Sequence, residues 1–147
     1  MVKNKKSSED KIIGRLEHVD FPEWNISGVE AKIDTGAYTS SLHCHHVEQF
    51  DSNGIPMVRF YLLDPDHPEY EQKPYSCRMK SLRKVKSSNG LIEERFSIKT
   101  TIRLSAKIYP IELTLADRTN MRYPVLLGRK FIQKRFIVDV SKKFISD

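Results

Sequence analysis

The sequence predicts an all-β protein with one short helix, and three observations carry that prediction. Most apolar residues fall in short runs of strand-favouring types. Turn residues separate these runs at close intervals. Asn89-Gly90 lies between two of the runs and is a strong hairpin signal, because both residues tolerate positive φ. Many short strands at such spacing indicate a β-barrel or a β-sandwich.

Each expected element follows from local pattern. The run VRFYLL stops at a loop that contains two prolines, and IELTL alternates apolar and polar residues with a period of two. The VLLG run is wholly apolar, which indicates a buried strand end, and one or two helical turns are expected over residues 129–135. The expected strands are residues 12–19, 29–33, 58–63, 82–86, 91–98, 100–104, 111–115, 125–128 and 136–140.

Length and composition indicate one domain. The 147 residues are 39% apolar and 30% charged, an ordinary mixture for a chain that can bury a core without a disulfide or a metal. Residues 1–10 are polar and predict a flexible basic arm, and residues 11–147 predict a single domain. No apolar stretch resembles a secretory signal or a membrane helix, so the expected location is cytoplasmic. Cys44 and Cys77 are expected to be reduced.

The net charge of +6 leaves two interpretations open. One is a solvated basic surface, and the other is an acidic partner or substrate. The basic residues concentrate at Arg78, Lys80, Arg83, Lys84 and Lys86. Nucleic acid is an unlikely partner, because no helix-turn-helix, zinc-finger or RNA-recognition pattern is present.

The most informative motif is Asp34-Thr35-Gly36, which follows an apolar strand and precedes Ala37, Thr39 and Ser40. A glycine beside the acid allows backbone and substrate to approach it closely. Backbone N–H groups and the nearby hydroxyls of Thr39 and Ser40 are candidates to orient the carboxylate. The tripeptide alone is more often an ordinary turn. Its context, with a later hairpin and then Leu126-Leu127-Gly128 before a helix, favours a catalytic acid.

That order of elements resembles the retropepsin fold, and four blocks narrow the resemblance. The blocks are AKIDTGAYTSSLH, VKSSNGLIEER, YPIELTLADRTNM and VLLGRKFIQKRFIVDVSKKF. They are similar to the RimB-like, retropepsin-like family of bacteria and archaea, which is associated with RimK-type ATP-grasp ligases and often labelled an ATP-dependent zinc protease. The resemblance covers roughly residues 13–144. It implies a closed acid-protease barrel and an aspartic endopeptidase.

The resemblance also implies roles for individual residues. Asp34 is expected to be catalytic, with Thr35, Gly36, Ala37, Thr39 and Ser40 in its loop. Tyr38 departs from the family, where many relatives carry a charged residue. Arg118, Asn120 and Met121 match a further block, and Leu127, Gly128 and Arg129 match the segment packed behind the loop. The expected flap and substrate residues are Ser87, Ser88, Asn89, Gly90, Glu93 and Arg95.

A single Asp-Thr-Gly predicts a homodimer. Aspartic peptidases use two adjacent carboxylates that share a proton. Neither Asp117 nor Asp139 is followed by Thr-Gly, so the second carboxylate is expected from a second copy across a twofold axis. Ala37 lacks a hydroxyl that would lower the pKa of the acid, which predicts activity nearer neutral pH. Glutamate-rich peptide tails are an expected substrate, from the resemblance alone.

Two other functions stay open. The same fold is compatible with a non-catalytic peptide-binding module. A metal-dependent hydrolase would use His43, Cys44, His45 and His46, but strand alternation would bring only two of these together, fewer than zinc usually has. Surface histidines are the favoured interpretation, and no metal or cofactor is expected. The sequence contains no HExxH motif, no GxxxxGK[ST] phosphate loop and no GxSxG elbow.

Overall fold

The computed structural model describes residues 11–63, 72–86, 90–116 and 122–146. These residues form ten β-strands, a 3₁₀ turn at Pro22–Trp24 and one α-helix, α1, at Arg129–Ile132. The predicted mainly β composition with one short helix is therefore confirmed. The strands are β1 (Ile12–Ile13), β2 (Leu16–Phe21), β3 (Ile26–Ile33), β4 (Ser40–Ser52), β5 (Ile55–Leu62), β6 (Pro74–Lys86), β7 (Ile92–Leu104), β8 (Lys107–Ala116), β9 (Val125–Leu127) and β10 (Ile137–Val138).

Eight of the strands form one sheet in the order β2-β3-β9-β4-β5-β6-β7-β8. Two further pairings, β2 with β7 and β4 with β8, join strands that are not neighbours in this order. Alternate residues of the strands face a common apolar core, as the period of two requires. The largest fully buried apolar side chains include Phe21, Phe60, Ile98, Leu113 and Leu127.

The predicted first strand, residues 12–19, is two strands. The chain breaks at Gly14, where an added Cβ would lie 2.3 Å from the backbone oxygen of Lys142. Arg15 N donates to that same oxygen at 2.7 Å. A close approach of two backbones therefore ends β1 and lets β2 start in a new direction. Conversely, the predicted strands 91–98 and 100–104 are one continuous strand, β7.

The two ends of the described chain lie together. The short strands β1 and β10 pair in parallel, and the buried Glu17 holds the C-terminal segment beside them. Its carboxylate accepts hydrogen bonds from Gly14 N at 2.7 Å and from Ser146 N at 3.1 Å. Because a buried carboxylate needs such partners, Glu17 fixes where the chain ends meet.

Helix α1 and the 3₁₀ turn are both short. No helix in the described part of the chain is long and apolar enough to cross a membrane.

Candidate active site

The Asp34 loop lies where three strands meet. It connects β3 to β4, but these two strands are not hydrogen-bonded to each other, because β9 lies between them. Strand β9 runs parallel to β3 and antiparallel to β4. Asp34 N donates to Leu127 O, the last residue of β9, at 2.9 Å. The acid is therefore positioned by contacts that come from residues more than ninety positions away in the sequence.

The Asp34 carboxylate is half-buried and held by its own turn. Its Oδ1 accepts a hydrogen bond from Gly36 N at 3.0 Å, and Ala37 N donates to Asp34 O at 3.2 Å. A Cβ added to Gly36 would lie 3.3 Å from that Oδ1, tighter than an ordinary van der Waals contact. The glycine thus lets its N–H reach the acid. This geometry fixes one carboxylate oxygen and suits an acid that works in one orientation.

Gly128 and Ser40 lock the next part of the loop. The Ser40 hydroxyl is buried and accepts a hydrogen bond from Gly128 N at 3.0 Å. A Cβ on Gly128 would lie 2.5 Å from Thr39 O and 2.7 Å from Tyr38 O, which leaves room only for hydrogen. The Ser40 hydroxyl is thus engaged with Gly128 N, so its visible role is to join β4 to the start of α1.

Helix α1 completes the support behind the loop. Arg129 N donates to Ala37 O at 2.8 Å, and Lys130 N donates to Tyr38 O at 2.9 Å. The Arg129 guanidinium donates from Nη1 to Thr35 O at 2.9 Å, and its Cζ lies 5.7 Å from the centre of the Tyr38 ring. Leu127 and Arg129 thus contact the Asp34-Thr35-Gly36 turn through these hydrogen bonds.

Strands β6 and β7 form the long hairpin at the predicted flap. The pairing runs out to Lys86 opposite Ile92. Gly90 has a φ of +87°, the left-handed conformation that suits glycine at a hairpin tip. Leu91 and Ile92, next to it, are 65% and 69% exposed. Ser87, Ser88, Asn89 and Arg118 lie outside the described residues.

The hairpin carries most of the basic residues that the sequence singled out. Arg83 lies opposite Arg95, and Lys84 lies opposite Glu94. The Arg95 side chain forms an ion pair with Glu93, with 3.3 Å between Nη2 and Oε2. The outer half of the hairpin thus has two facing arginines, with Glu93 paired to one of them and Glu94 opposite Lys84.

Glu112, which sequence reasoning missed, links the hairpin to the loop support. Its Oε1 accepts from Lys80 Nζ on β6 at 2.9 Å and from Lys130 Nζ on α1 at 3.1 Å. The hydrogen bond from Lys80, followed by that from Lys130, lowers the pKa of Glu112 below its ordinary value of 4.5. Its partners are 32 and 18 positions away. No local pattern in the sequence therefore predicts the contacts of Glu112 with Lys80 and Lys130.

The histidine cluster differs from its prediction. His43 and His45 are 1% and 9% exposed, so the interpretation as surface histidines is wrong for both of them, and only His46 is exposed. His46 has a φ of +50°, and β4 shifts its register against β5 just after His45. Simple strand alternation therefore fails here. Within the described residues, no group of three or more His, Cys, Asp or Glu side chains is placed to hold a metal.

Asp139, Cys44 and Cys77 have partners of their own in the described structure. Asp139 Oδ1 accepts hydrogen bonds from Ser141 N at 3.0 Å and Ser141 Oγ at 2.6 Å, so this carboxylate stabilises the turn at residues 139–141. Asp117 lies outside the described residues. Cys44 and Cys77 form no disulfide with each other. Cys44 of β4 lies opposite Leu62 of β5, and Cys77 of β6 lies opposite Val58, four positions before Leu62 on β5.

The strand arrangement around Asp34-Thr35-Gly36 and the hairpin that follows it define a retropepsin-like protein. A family model described as "Retropepsin-like aspartic endopeptidase RimB" matches residues 12–147. The chain belongs to this RimB-like family.

Comparisons with individual proteins add two facts. The chain is 37% identical over 137 residues to a protein named "Probable alpha-L-glutamate ligase" from Shewanella halifaxensis, and the match covers 90% of the chain but 29% of that relative. A relative of the same name from Desulfotalea psychrophila is 37% identical over 133 residues, with 88% of the chain and 28% of the relative covered. The chain thus spans less than a third of the length of these curated relatives.

A solved structure has the same fold over nearly its full length. The crystal structure of the Legionella pneumophila protein Lpg0085, of unknown function, superposes with a TM-score of 0.73 at 29% sequence identity. The match covers 93% of this chain and 98% of that one. The described fold therefore occurs as an independent chain in another protein.

Proposed function

We propose that this chain is one subunit of an aspartic endopeptidase whose active site needs two copies of Asp34. The observation that carries the proposal is the geometry of the Asp34 turn. The acid directly follows the buried Ile33 at the end of β3, is held through Oδ1 by Gly36 N, and stays half-exposed. In such a pair, one ionised carboxylate takes a proton from water, and the neutral partner donates to the scissile carbonyl oxygen.

The second carboxylate comes from a second copy in this proposal. The sequence has one Asp-Thr-Gly, and a twofold axis places a residue beside its own copy. Ile12 and Ile137 support an interface, because they face each other on the β1–β10 sheet and are 42% and 59% exposed. Sedimentation velocity should find a dimer, and Ile137→Lys should shift it toward the monomer and lower the activity. An active monomer would contradict this part.

A closed acid-protease barrel with a flap is the architecture that we propose for the cleft. The extra pairings of β2 with β7 and β4 with β8 support closure of the sheet. The β6–β7 hairpin ends in the exposed apolar side chains of Leu91 and Ile92, which are suited to cover an extended peptide. Closure of such a hairpin would exclude bulk water from the acid pair.

An acidic peptide, rich in glutamate, is the substrate that the charges favour. The chain carries a net charge of +6, and Arg78, Arg83 and Lys84 lie exposed along β6. The relatives are named alpha-L-glutamate ligases, and a ligase of that kind that works in the same cytoplasmic process would produce such peptides. Because attraction of this kind is electrostatic, KM for a glutamate-rich peptide should rise with salt.

Asp34→Asn tests the chemistry directly. The amide cannot act as a base, so hydrolysis of a glutamate-rich peptide, followed by mass spectrometry, should fall by about a hundredfold or more. The peptide should still bind, as fluorescence anisotropy would show. Asp139→Asn, a change at an acid whose Oδ1 accepts hydrogen bonds from Ser141, is the matched control and should retain activity. Equal turnover by Asp34→Asn would end the aspartic peptidase proposal, whereas binding without hydrolysis by the unaltered protein would leave a peptide-binding module.

The pH dependence gives a second test of the same proposal. Ala37 offers no hydroxyl to the carboxylate, so we expect the rate optimum to lie nearer neutral pH than for an enzyme with a hydroxyl there. Ala37→Ser should move the acid limb of the pH–rate profile to lower pH. A chelator should leave the rate unchanged, whereas loss of activity with EDTA would indicate a metal-dependent hydrolase.

A further inference from the structure

Tyr38 and Arg129 form an exposed pair beside the Asp34 turn. Tyr38 follows the turn on the same loop, and its side chain is 51% exposed. Arg129, at the start of α1, is exposed as well, and its guanidinium reaches across the loop to the carbonyl of Thr35, the residue after the acid. An aromatic ring and a cation are therefore presented to the outside next to the carboxylate that we propose to be catalytic.

The Arg129 guanidinium is held in place but is not neutralised. It is fixed on one side by the hydrogen bond to Thr35 O and on another by its contact with the Tyr38 ring. Among the residues that the structure describes, Arg129 forms no ion pair with a carboxylate. A guanidinium carries several N–H donors in one rigid plane, and the bond to Thr35 uses one of them. Donors of a fixed, charged group thus remain open to a ligand.

The backbone keeps the two side chains together. Tyr38 O accepts a hydrogen bond from Lys130 N at 2.9 Å, and a Cβ on Gly128 would lie 2.7 Å from the same oxygen. The loop and the start of α1 are therefore in close contact and cannot shift apart without breaking these contacts. Because Tyr38 and Arg129 are already placed, a ligand that contacts both loses less conformational entropy on binding than one that must order them.

An acidic side chain is the ligand that this pair fits. The fork of a guanidinium matches a carboxylate through two parallel hydrogen bonds. The Tyr38 ring offers apolar surface to the CH₂ groups that precede the carboxylate in a glutamate side chain. The net charge of +6 also attracts acidic peptides to the protein as a whole.

We propose that Arg129 and Tyr38 form a specificity subsite that binds an acidic side chain of the substrate beside the scissile bond. Arg129 donates hydrogen bonds to the carboxylate, the Tyr38 ring packs on the CH₂ groups, and neither residue takes part in proton transfer. The inference rests on the proposed function, because the Asp34 pair defines where the peptide lies. It adds that glutamate is recognised next to the acid, and not only attracted to the basic strand β6.

The experiment compares a glutamate-rich peptide with the same peptide carrying glutamine at every glutamate position. Binding to the Asp34→Asn protein is measured by fluorescence anisotropy, and cleavage by the unaltered protein is measured by mass spectrometry. The glutamate peptide should bind about tenfold more tightly. Equal affinities, or no binding of either peptide, would overturn the subsite even if both peptides are cleaved. Preferential binding of the glutamate peptide without cleavage would support the subsite and count against the peptidase proposal.

Tyr38→Glu separates the subsite from general charge attraction. The introduced carboxylate would lie beside Arg129 and occupy its open donors, so the ratio of glutamate-peptide to glutamine-peptide affinity should fall about tenfold. Ile108→Glu is the matched control, because it adds the same charge at a side chain that is 52% exposed on the β7–β8 hairpin, and it should change the ratio less than twofold. Equal falls for the two variants would show general repulsion and reject the subsite.

Two substitutions of Arg129 separate recognition from support of the loop. Arg129→Lys keeps the charge without the fork and should retain part of the affinity ratio, whereas Arg129→Gln should lose it. A purely structural role would weaken both peptides in the same proportion and leave the ratio unchanged. A ratio that survives Arg129→Gln would therefore overturn the proposal.

Discussion

The Asp34 loop and the outer half of the β6–β7 hairpin are built in opposite ways. The loop receives backbone hydrogen bonds from β9 and α1, so distant segments hold it at Asp34, Ala37 and Tyr38. The outer hairpin, residues 83–86 and 92–95, is held by the pairing of its own two strands. One region has a single geometry enforced by tertiary contacts. The other depends on local pairing, as suits an element that must admit a substrate.

The largest expected effect is at Gly128, where the loop and α1 touch. Gly128→Ala would place a Cβ 2.5 Å from Thr39 O, and its φ of −96° is normal for alanine, so the whole cost is steric. We expect a loss of about 3 kcal/mol or more in the free energy of unfolding, measured with urea.

Gly54→Ala is the matched control for that substitution. Gly54 has a φ of +81° with open space around it, so alanine there meets only backbone strain of about 1–2 kcal/mol. If Gly128→Ala lowers the free energy of unfolding no more than Gly54→Ala does, the close contact between Gly128 and Thr39 O is not what holds the Asp34 loop in place.

The next effect concerns the hydroxyl that joins β4 to α1. Ser40→Ala leaves the buried Gly128 N without its acceptor, which should cost about 1–3 kcal/mol of unfolding free energy. Ser41→Ala, at the adjacent half-buried serine, should cost less than about 0.5 kcal/mol. Similar losses for both serines would mean that general strand packing, and not this hydrogen bond, positions the loop.

Local signals in the sequence predicted several strands and the Asp34 turn, but the expected strands did not include β4 (Ser40–Ser52) or residues 74–81 of β6. The VLLG run predicted β9 and the IELTL alternation predicted half of β8, because side-chain period is visible in a short window. Asn53-Gly54, the turn between β4 and β5, has the same signal as Asn89-Gly90, and both of its residues have positive φ. It was open to prediction by the same rule and was missed.

Other features had no local signal. Ser105 and Ala106 turn β7 into β8 with φ of 56° and 64°, although neither residue type favours that conformation. The tertiary pairing of two long strands overrides the local preference there. The burial of His43 and the sharing of Glu112 between β6 and α1 depend equally on strand order, which one sequence does not reveal. The Asp34 turn was visible in the sequence and the segment behind it was expected from the resemblance, but the individual hydrogen bonds that hold the turn were not predictable.

Glu112 connects Lys80, at the inner end of the β6–β7 hairpin, to Lys130 on α1 behind the Asp34 loop. A smaller change in the free energy of unfolding is expected there. The pKa of Glu112 is lowered, chiefly by the hydrogen bond from Lys80, so its ionised form favours the folded state. This contribution is complete above pH 4.5, the ordinary value, and is lost as the pH falls through the lower folded pKa. Glu112→Gln should therefore remove about 0.5 kcal/mol at pH 7 and less at pH 3.

Urea unfolding of both proteins at the two pH values measures that difference. Glu48→Gln is the control, because its pair with Arg59 joins neighbouring strands on an exposed surface and does not connect the hairpin to α1. A destabilisation of Glu112→Gln that grows as the pH falls would reverse the expected sign and exclude the two lysines as its cause.

The smallest effect on stability, and the sharpest contrast with Gly128, is expected at the hairpin tip. Leu91→Ser removes an apolar side chain that is 65% exposed, so the free energy of unfolding should change by less than about 0.5 kcal/mol. Under the proposed function, the same change should raise KM for a peptide, because the tip loses apolar surface with which to cover it. Ile108→Ser, at a 52% exposed side chain on the β7–β8 hairpin, should change neither the free energy of unfolding nor KM. A Leu91→Ser protein that is clearly destabilised would show that the tip is already packed in the free subunit. The contrast with the Asp34 loop would then fail, because both regions would be held by tertiary contacts.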